Sequence, residues 1–129
     1  SLLPTLLQEF RSQARVPEPA AGEGTPRFER VIEYLRANLA ERLTLQQLAD
    51  VAGLSPFHFL RSFQAQHHAT PQQMLMALRL FEAKRRLADG QAPAQVAAAT
   101  GMSDQAHLTR AFARRYGVTP ARYRRQLRG

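Results

Sequence analysis

Apolar residues recur at three- and four-residue intervals along most of the chain, and no stretch alternates long enough to make a useful strand, so the pattern predicts an all-α fold. Leu2, Leu3, Leu6, Leu7 and Phe10 keep helical spacing over a short amphipathic segment. The stretch that follows, Ala14 to Pro26, is rich in Pro, Ala, Gly and Glu and reads as a linker. Helical patterning resumes at Thr25-Pro26, with Thr25 as N-cap, Pro26 at the first helical position and Phe28, Val31, Ile32, Leu35 and Leu39 on one face. Thr44-Leu45-Gln46-Gln47 is a capping box opening a short helix with Leu45, Leu48, Ala49 and Ala52 inward. Gly53 supplies a left-handed cap, and Ser55-Pro56 opens the next helix. Two short helices joined by a tight turn with Gly form a helix-turn-helix, which presents its second helix outward on a compact support.

The unit occurs twice. A shift of 48 residues lays Leu48-Ala49, Gly53, Leu54 and Ser55 on Val96-Ala97, Gly101, Met102 and Ser103. Beyond that point a shift of 49 lays Phe59, Arg61, Phe63, His67, Thr70-Pro71 and Met74 on Leu108, Arg110, Phe112, Tyr116, Thr119-Pro120 and Tyr123, one extra residue near Asp104 accounting for the change. Between the copies Pro71 to Ala88 is strongly helical, with Leu75, Leu80, Ala83 and Leu87 inward and Asp89-Gly90 ending it. That joining helix is roughly 25 Å long at 1.5 Å per residue. The expected layout is a helix and linker over 1–26, then a domain over 27–129 with the first helix-turn-helix at about 44–66, the joining helix at about 71–88 and the second at about 93–116.

Helical geometry divides each second helix into two faces. Phe59 and Phe63, four residues apart, belong to the core, which turns Phe57, Leu60, Arg61 and Gln64 outward. An outward Phe and Leu beside an Arg suits a major groove, where apolar side chains meet thymine methyls and Arg reads guanine. In the second copy Leu108 and Phe112 take the core role and leave Gln105, Ala106, Thr109 and Arg110 outside. Gln can bond adenine bidentately, Arg can fork onto guanine, and Ala and the Thr methyl can touch thymine.

Charge sharpens this picture. The net charge of +8 is carried entirely by the second half: residues 1–60 sum to −1 and residues 61–129 to +9. Of the 18 basic residues 17 are Arg, whose planar fork matches phosphates and base edges. Arg114, Arg115, Arg122, Arg124, Arg125 and Arg128 follow the second reading helix with no acid after Asp104, a basic tail suited to phosphate contacts and counterion release.

Other chemistries find little support. With no cysteine there is no disulfide framework, thiolate metal site or cysteine nucleophile, and the default compartment is cytosolic. Apolar runs are too short to span a bilayer, and Ser1-Leu2-Leu3-Pro4 lacks the basic start of a signal peptide. His58, His67, His68 and His107 form no i, i+4 ligand pair, and no phosphate loop or Gly-x-Ser-x-Gly elbow occurs, so neither a metal, a cofactor nor catalysis is expected. The competing reading is a helical protein-interaction module that uses Phe57 and Leu60 as apolar anchors.

Gly53-Leu54-Ser55-Pro56-Phe57-His58-Phe59 with Arg61 and Phe63, then Gly101-Met102-Ser103, Leu108-Thr109-Arg110-Ala111-Phe112 and Tyr116-Gly117-Val118-Thr119-Pro120 with Tyr123-Arg124, together resemble the AraC/XylS family DNA-binding domain over about residues 27 to 125. The resemblance implies an all-α domain of about seven helices, two helix-turn-helix subdomains joined by a long helix, each placing a recognition helix in a major groove of double-stranded operator DNA. Carried over by position, the base readers are Phe57, Leu60 and Arg61, then Gln105, Ala106, Thr109 and Arg110, with Gln64, Arg114, Arg115, Arg124 and Arg125 on phosphates. This sequence departs from the family pattern at Pro93, Met102, Leu108 and Met74. The family further implies a bacterial, cytoplasmic transcriptional regulator that engages RNA polymerase and carries a separate domain for dimerisation or a small-molecule effector. Residues 1–26 are too few for that domain, so the chain is expected to be the C-terminal half of a regulator, with Leu2 to Phe10 a remnant of what precedes it.

Overall fold

The structure, a computed structural model, describes residues 18–128, with side chains from Phe28 onward. Among these residues there are seven helices and no strand: α1 (Glu18–Ala37), α2 (Leu45–Ala52), α3 (Pro56–His67), α4 (Pro71–Ala88), α5 (Pro93–Ala99), α6 (Gln105–Tyr116) and α7 (Pro120–Arg128). The expected amphipathic segment at Leu2 to Phe10 lies outside the described residues.

Local chemistry explains most of the boundaries. Thr44 accepts from the Gln47 N–H at 3.1 Å while the Gln47 side chain accepts from the Thr44 N–H at 2.8 Å, and Gly53 closes α2 at φ +73°. Ser55 caps α3 through the His58 N–H. Thr70 and Gln73 form a second reciprocal box ahead of Pro71, and Asp104 caps α6 by accepting from the His107 N–H at 2.8 Å. Pro93, a departure from the family pattern, sits in the first turn of α5, where its missing N–H breaks no helical bond.

Two expectations need correction. Helix α1 begins at Glu18 and passes through Pro26, so Thr25 is not its N-cap and the linker is shorter than composition suggested. Pro19 falls in the first turn, which tolerates proline, and Ala20 and Ala21 are strong helix formers. The arginines after Tyr116 are not a tail either. They lie on α7, opened by Thr119, whose Oγ accepts from the Arg122 N–H at 3.2 Å, and by buried Pro120.

Helix α4 serves two cores. Its first half contributes Leu75 to a cluster with Phe28, Val31, Leu35, Leu48, Phe59 and Phe63 from α1–α3. Its second half contributes Leu80, Ala83 and Leu87 to a cluster with Val96, Ala97, Met102, Leu108 and Phe112 from α5–α6 and the turn between them. Met102 and Leu108 thus keep the apolar role of the family positions they depart from. Aromatic contacts run through each core: the Phe28 and Phe63 rings meet edge-on at 5.5 Å, and the Phe112 ring lies 4.7 Å from Tyr116 and 5.7 Å from Tyr123.

Candidate nucleic-acid interface

Burial of one face of α3 and α6 forces the opposite face into solvent. On α3, Phe59 and Phe63 are fully buried, whereas Phe57 is 68% exposed. Arg61 and Gln64 are exposed and Leu60 is half-buried, at the border of the two faces. The Arg61 guanidinium lies over the Phe57 ring, with Cζ 5.3 Å from its centroid. The ring and the cation thus support one another, and the pair lines a shallow hollow with His58, Ser62 and Ala65. An apolar ring beside a forked donor can meet a thymine methyl and a neighbouring guanine together.

On α6, Leu108 and Phe112 are fully buried, while Gln105, Ala106 and Arg110 are exposed and Thr109 is half-buried. Asp104 fixes the first turn of this helix, and His107 Nδ1 accepts from the Ser103 N–H at 3.3 Å, so its N-terminal end is braced where Gln105 and Ala106 project.

The ion pairs found among the described residues all lie at the end of α4, where Arg85 and Arg86 meet Glu82 and Arg85 also meets Asp89. Arg61, Arg110, Arg114, Arg115 and Arg125 are exposed and have no carboxylate partner among those residues, which leaves their charge available to an anion. Arg115 lies close to the Tyr116 ring, and Lys84 from α4 lies 4.8 Å from its centroid.

Arg124 departs from expectation. It is half-buried, its Nη2 donates to the Gly90 carbonyl at 2.9 Å, and its Nε is buried without a partner. It ties α7 to the turn after α4 instead of reaching outward, because α7 packs on α4 and turns this position inward. Two features went unforeseen in the sequence. Phe81 on α4 is 65% exposed, at a hollow lined by Arg36, Leu39, Glu41 and Arg85. Arg79 reaches across to the loop after α1, where its Nε donates to the Leu39 carbonyl at 2.7 Å. The signal available for Arg79 was a cation within the apolar run from Met74 to Leu80.

Residues 48–126 match the model of a helix-turn-helix domain family. The HTH-type transcriptional regulator YbfI of Bacillus subtilis (strain 168) is 38% identical over 93 residues, covering 72% of this chain and 32% of its own length. The MmsAB operon regulatory protein of Pseudomonas aeruginosa is 33% identical over 107 residues, covering 82% of this chain and 35% of its own. Among solved structures, a transcriptional regulator of AraC-type DNA-binding domain-containing proteins from Chromobacterium violaceum superposes with a TM-score of 0.76 at 25% identity, over 83% of this chain and 96% of that one. The chain belongs to the AraC-type family of helix-turn-helix DNA-binding domains. A further AraC-type fold, the DNA-binding domain of AdpA in complex with a target DNA, superposes with a TM-score of 0.73 at 30% identity, over 80% of this chain and 93% of that one. As an AraC-type domain the chain is a sequence-specific DNA-binding unit of transcriptional regulators. It spans about a third of the length of these two regulators. No helix among the described residues is long and apolar enough to cross a membrane.

Proposed function

We propose that this chain reads double-stranded DNA as a monomer, with α3 and α6 in two successive major grooves about 34 Å apart along one side of the duplex. The observation that carries the reading is the pair of outward helix faces, each with an Arg that has no carboxylate partner among the described residues beside small or apolar side chains, held on one polypeptide by α4. Phe57, Leu60 and Arg61 read one box, and Gln105, Ala106, Thr109 and Arg110 read the other. Gln64, Arg114, Arg115 and Arg125 contact phosphates, while Arg124 is held by Gly90 and is left out of that set.

The activity is binding without catalysis, in the cytoplasm, as the operator-reading part of a bacterial regulator. RNA polymerase and a small-molecule effector, the latter held by a regulatory domain outside this chain, are the further partners of the whole protein. The basic character of the second half supports DNA over a protein-docking use of Phe57 and Leu60.

Hydroxyl-radical footprinting on a duplex selected from a random pool tests the reading. Two protected patches one helical turn apart, from a one-to-one complex, are expected. Protection of a single groove, or binding that needs two copies of the chain, overturns it.

A further inference from the structure

Among the described residues, helices α1–α3 touch α5–α7 only sparsely, so the mutual orientation of the two reading helices depends on α4 and on whatever braces it. The brace is at Arg79, where the two cores part. Its Nε donates to the Leu39 carbonyl at 2.7 Å and its Nη2 to the Glu41 carbonyl at 2.9 Å, which gathers the loop after α1 onto α4. The turn of the second helix-turn-helix closes on the same place. A Cβ built at Gly101 meets the Ala40 Cα at 2.9 Å, the Leu39 carbonyl oxygen at 2.9 Å and the Arg79 Cζ at 3.1 Å. Gly53, the same position of the first copy, has a similar φ of +73° but nothing within 4 Å. The first glycine is therefore required for its dihedral alone, and the second for close approach as well.

We infer that Arg79 and Gly101 are positioning residues that lock the two reading helices at one mutual spacing, so the chain selects targets by the distance between two boxes as well as by their bases. This rests on the two-groove reading. One inserted base pair moves the boxes apart by about 3.4 Å and rotates them by roughly 35°, which a locked pair of helices cannot follow and a hinged pair can.

The test uses the selected duplex, the same duplex with one base pair inserted between its boxes, and each box alone. Five proteins are compared: the unaltered chain, Arg79→Met, Arg79→Lys, Gly101→Asn and Gly53→Asn. Asn tolerates left-handed backbone, so the two glycine variants bear a similar dihedral cost and differ in the contact. The unaltered chain should lose at least about tenfold in affinity on insertion, the equivalent of a lost base contact. Arg79→Met and Gly101→Asn should reduce that penalty to about threefold or less while single-box affinity holds, and Gly53→Asn should keep the full penalty. Arg79→Lys, able to reach one carbonyl but not fork to two, should fall between. An unaltered chain indifferent to the insertion overturns the lock, as do folded Arg79→Met and Gly101→Asn proteins that keep the penalty. Failure of the unaltered chain to bind any selected duplex overturns instead the two-groove reading beneath it.

Discussion

Arg110, Arg124 and Arg125 are chemically identical and are used differently because of what each can reach. Arg110 is exposed on the outer face of α6, so Arg110→Ala should cost about 1–3 kcal/mol of specific affinity and relax preference at one base position. Binding to the selected duplex and to a scrambled one checks this, and an unchanged ratio between them removes Arg110 from the base readers. Arg125 is exposed on α7, so Arg125→Ala should weaken both duplexes alike and reduce the salt slope by about one. Arg124→Ala should do neither. It deletes the bond to the Gly90 carbonyl and should lower stability by about 1 kcal/mol in a urea titration while the salt slope stays put. The outward places of Phe57, Arg61, Gln105 and Arg110 were legible because helical spacing sorts side chains by face. The employment of Arg124 was not, since its partner is 34 residues away in sequence and spacing says nothing about such a contact.

Helix ends follow the same division between local and distant causes. The starts of α2, α3 and α4 were readable because the cap and the groups it satisfies lie within four residues of each other. Thr70→Ala removes such a cap from the joining helix and should cost about 1 kcal/mol. Thr25-Pro26 mimics a cap and so hides the true start of α1 in the sequence, while the basic composition after Tyr116 masks α7 even though Thr119-Pro120 repeats the cap of Thr70-Pro71. The far end of α3 carries a pH response that spacing could not reveal. His67 is half-buried with its ring 4.6 Å from Phe63; burial first, and then the nearby charge of His68, hold its pKa below the ordinary imidazole value. The unfolded chain therefore takes up a proton that the folded chain resists, and stability should fall as pH drops through about 6.5. His67→Tyr, which places there the residue type that the second copy carries at Tyr116, should flatten the melting temperature between about pH 7 and 5. An unchanged slope in that variant assigns the response elsewhere. Glu82 acts in a separate window: hydrogen bonding to Arg85 outweighs its burial, and with help from Arg86 holds its pKa low, so its contribution is lost only as pH falls below about 4.3.

The described residues form two small cores threaded on one helix, and neither can shift along α4 without losing packing. With α3 and α6 locked as inferred above, the two-groove reading leaves them unable to adjust independently to a straight duplex, so the complex should bend its target. Circular-permutation gel shifts should show mobility that depends on the position of the site, and position-independent mobility removes the bend. Phe112→Ala should cost about 3–5 kcal/mol by opening a cavity in the second core, and it serves as the control that separates unfolding from lost recognition. The duplication made this plan legible from the sequence, whereas the meeting of Gly101 with Ala40 emerges only once both units are folded. The division of labour across α6 has a further consequence. Leu108, Ala111 and Phe112 hold the helix in place, and Gln105, Ala106 and Arg110 take almost no part in that task. Surface exchanges of this kind change stability by only about 0.5 kcal/mol, so on the proposed two-groove reading the three positions form an alphabet that can be rewritten while the fold stays the same. A library randomised there should yield variants that melt like the parent but answer to different operators, which makes α6 the natural place both for divergence among duplicated regulators and for their deliberate retargeting.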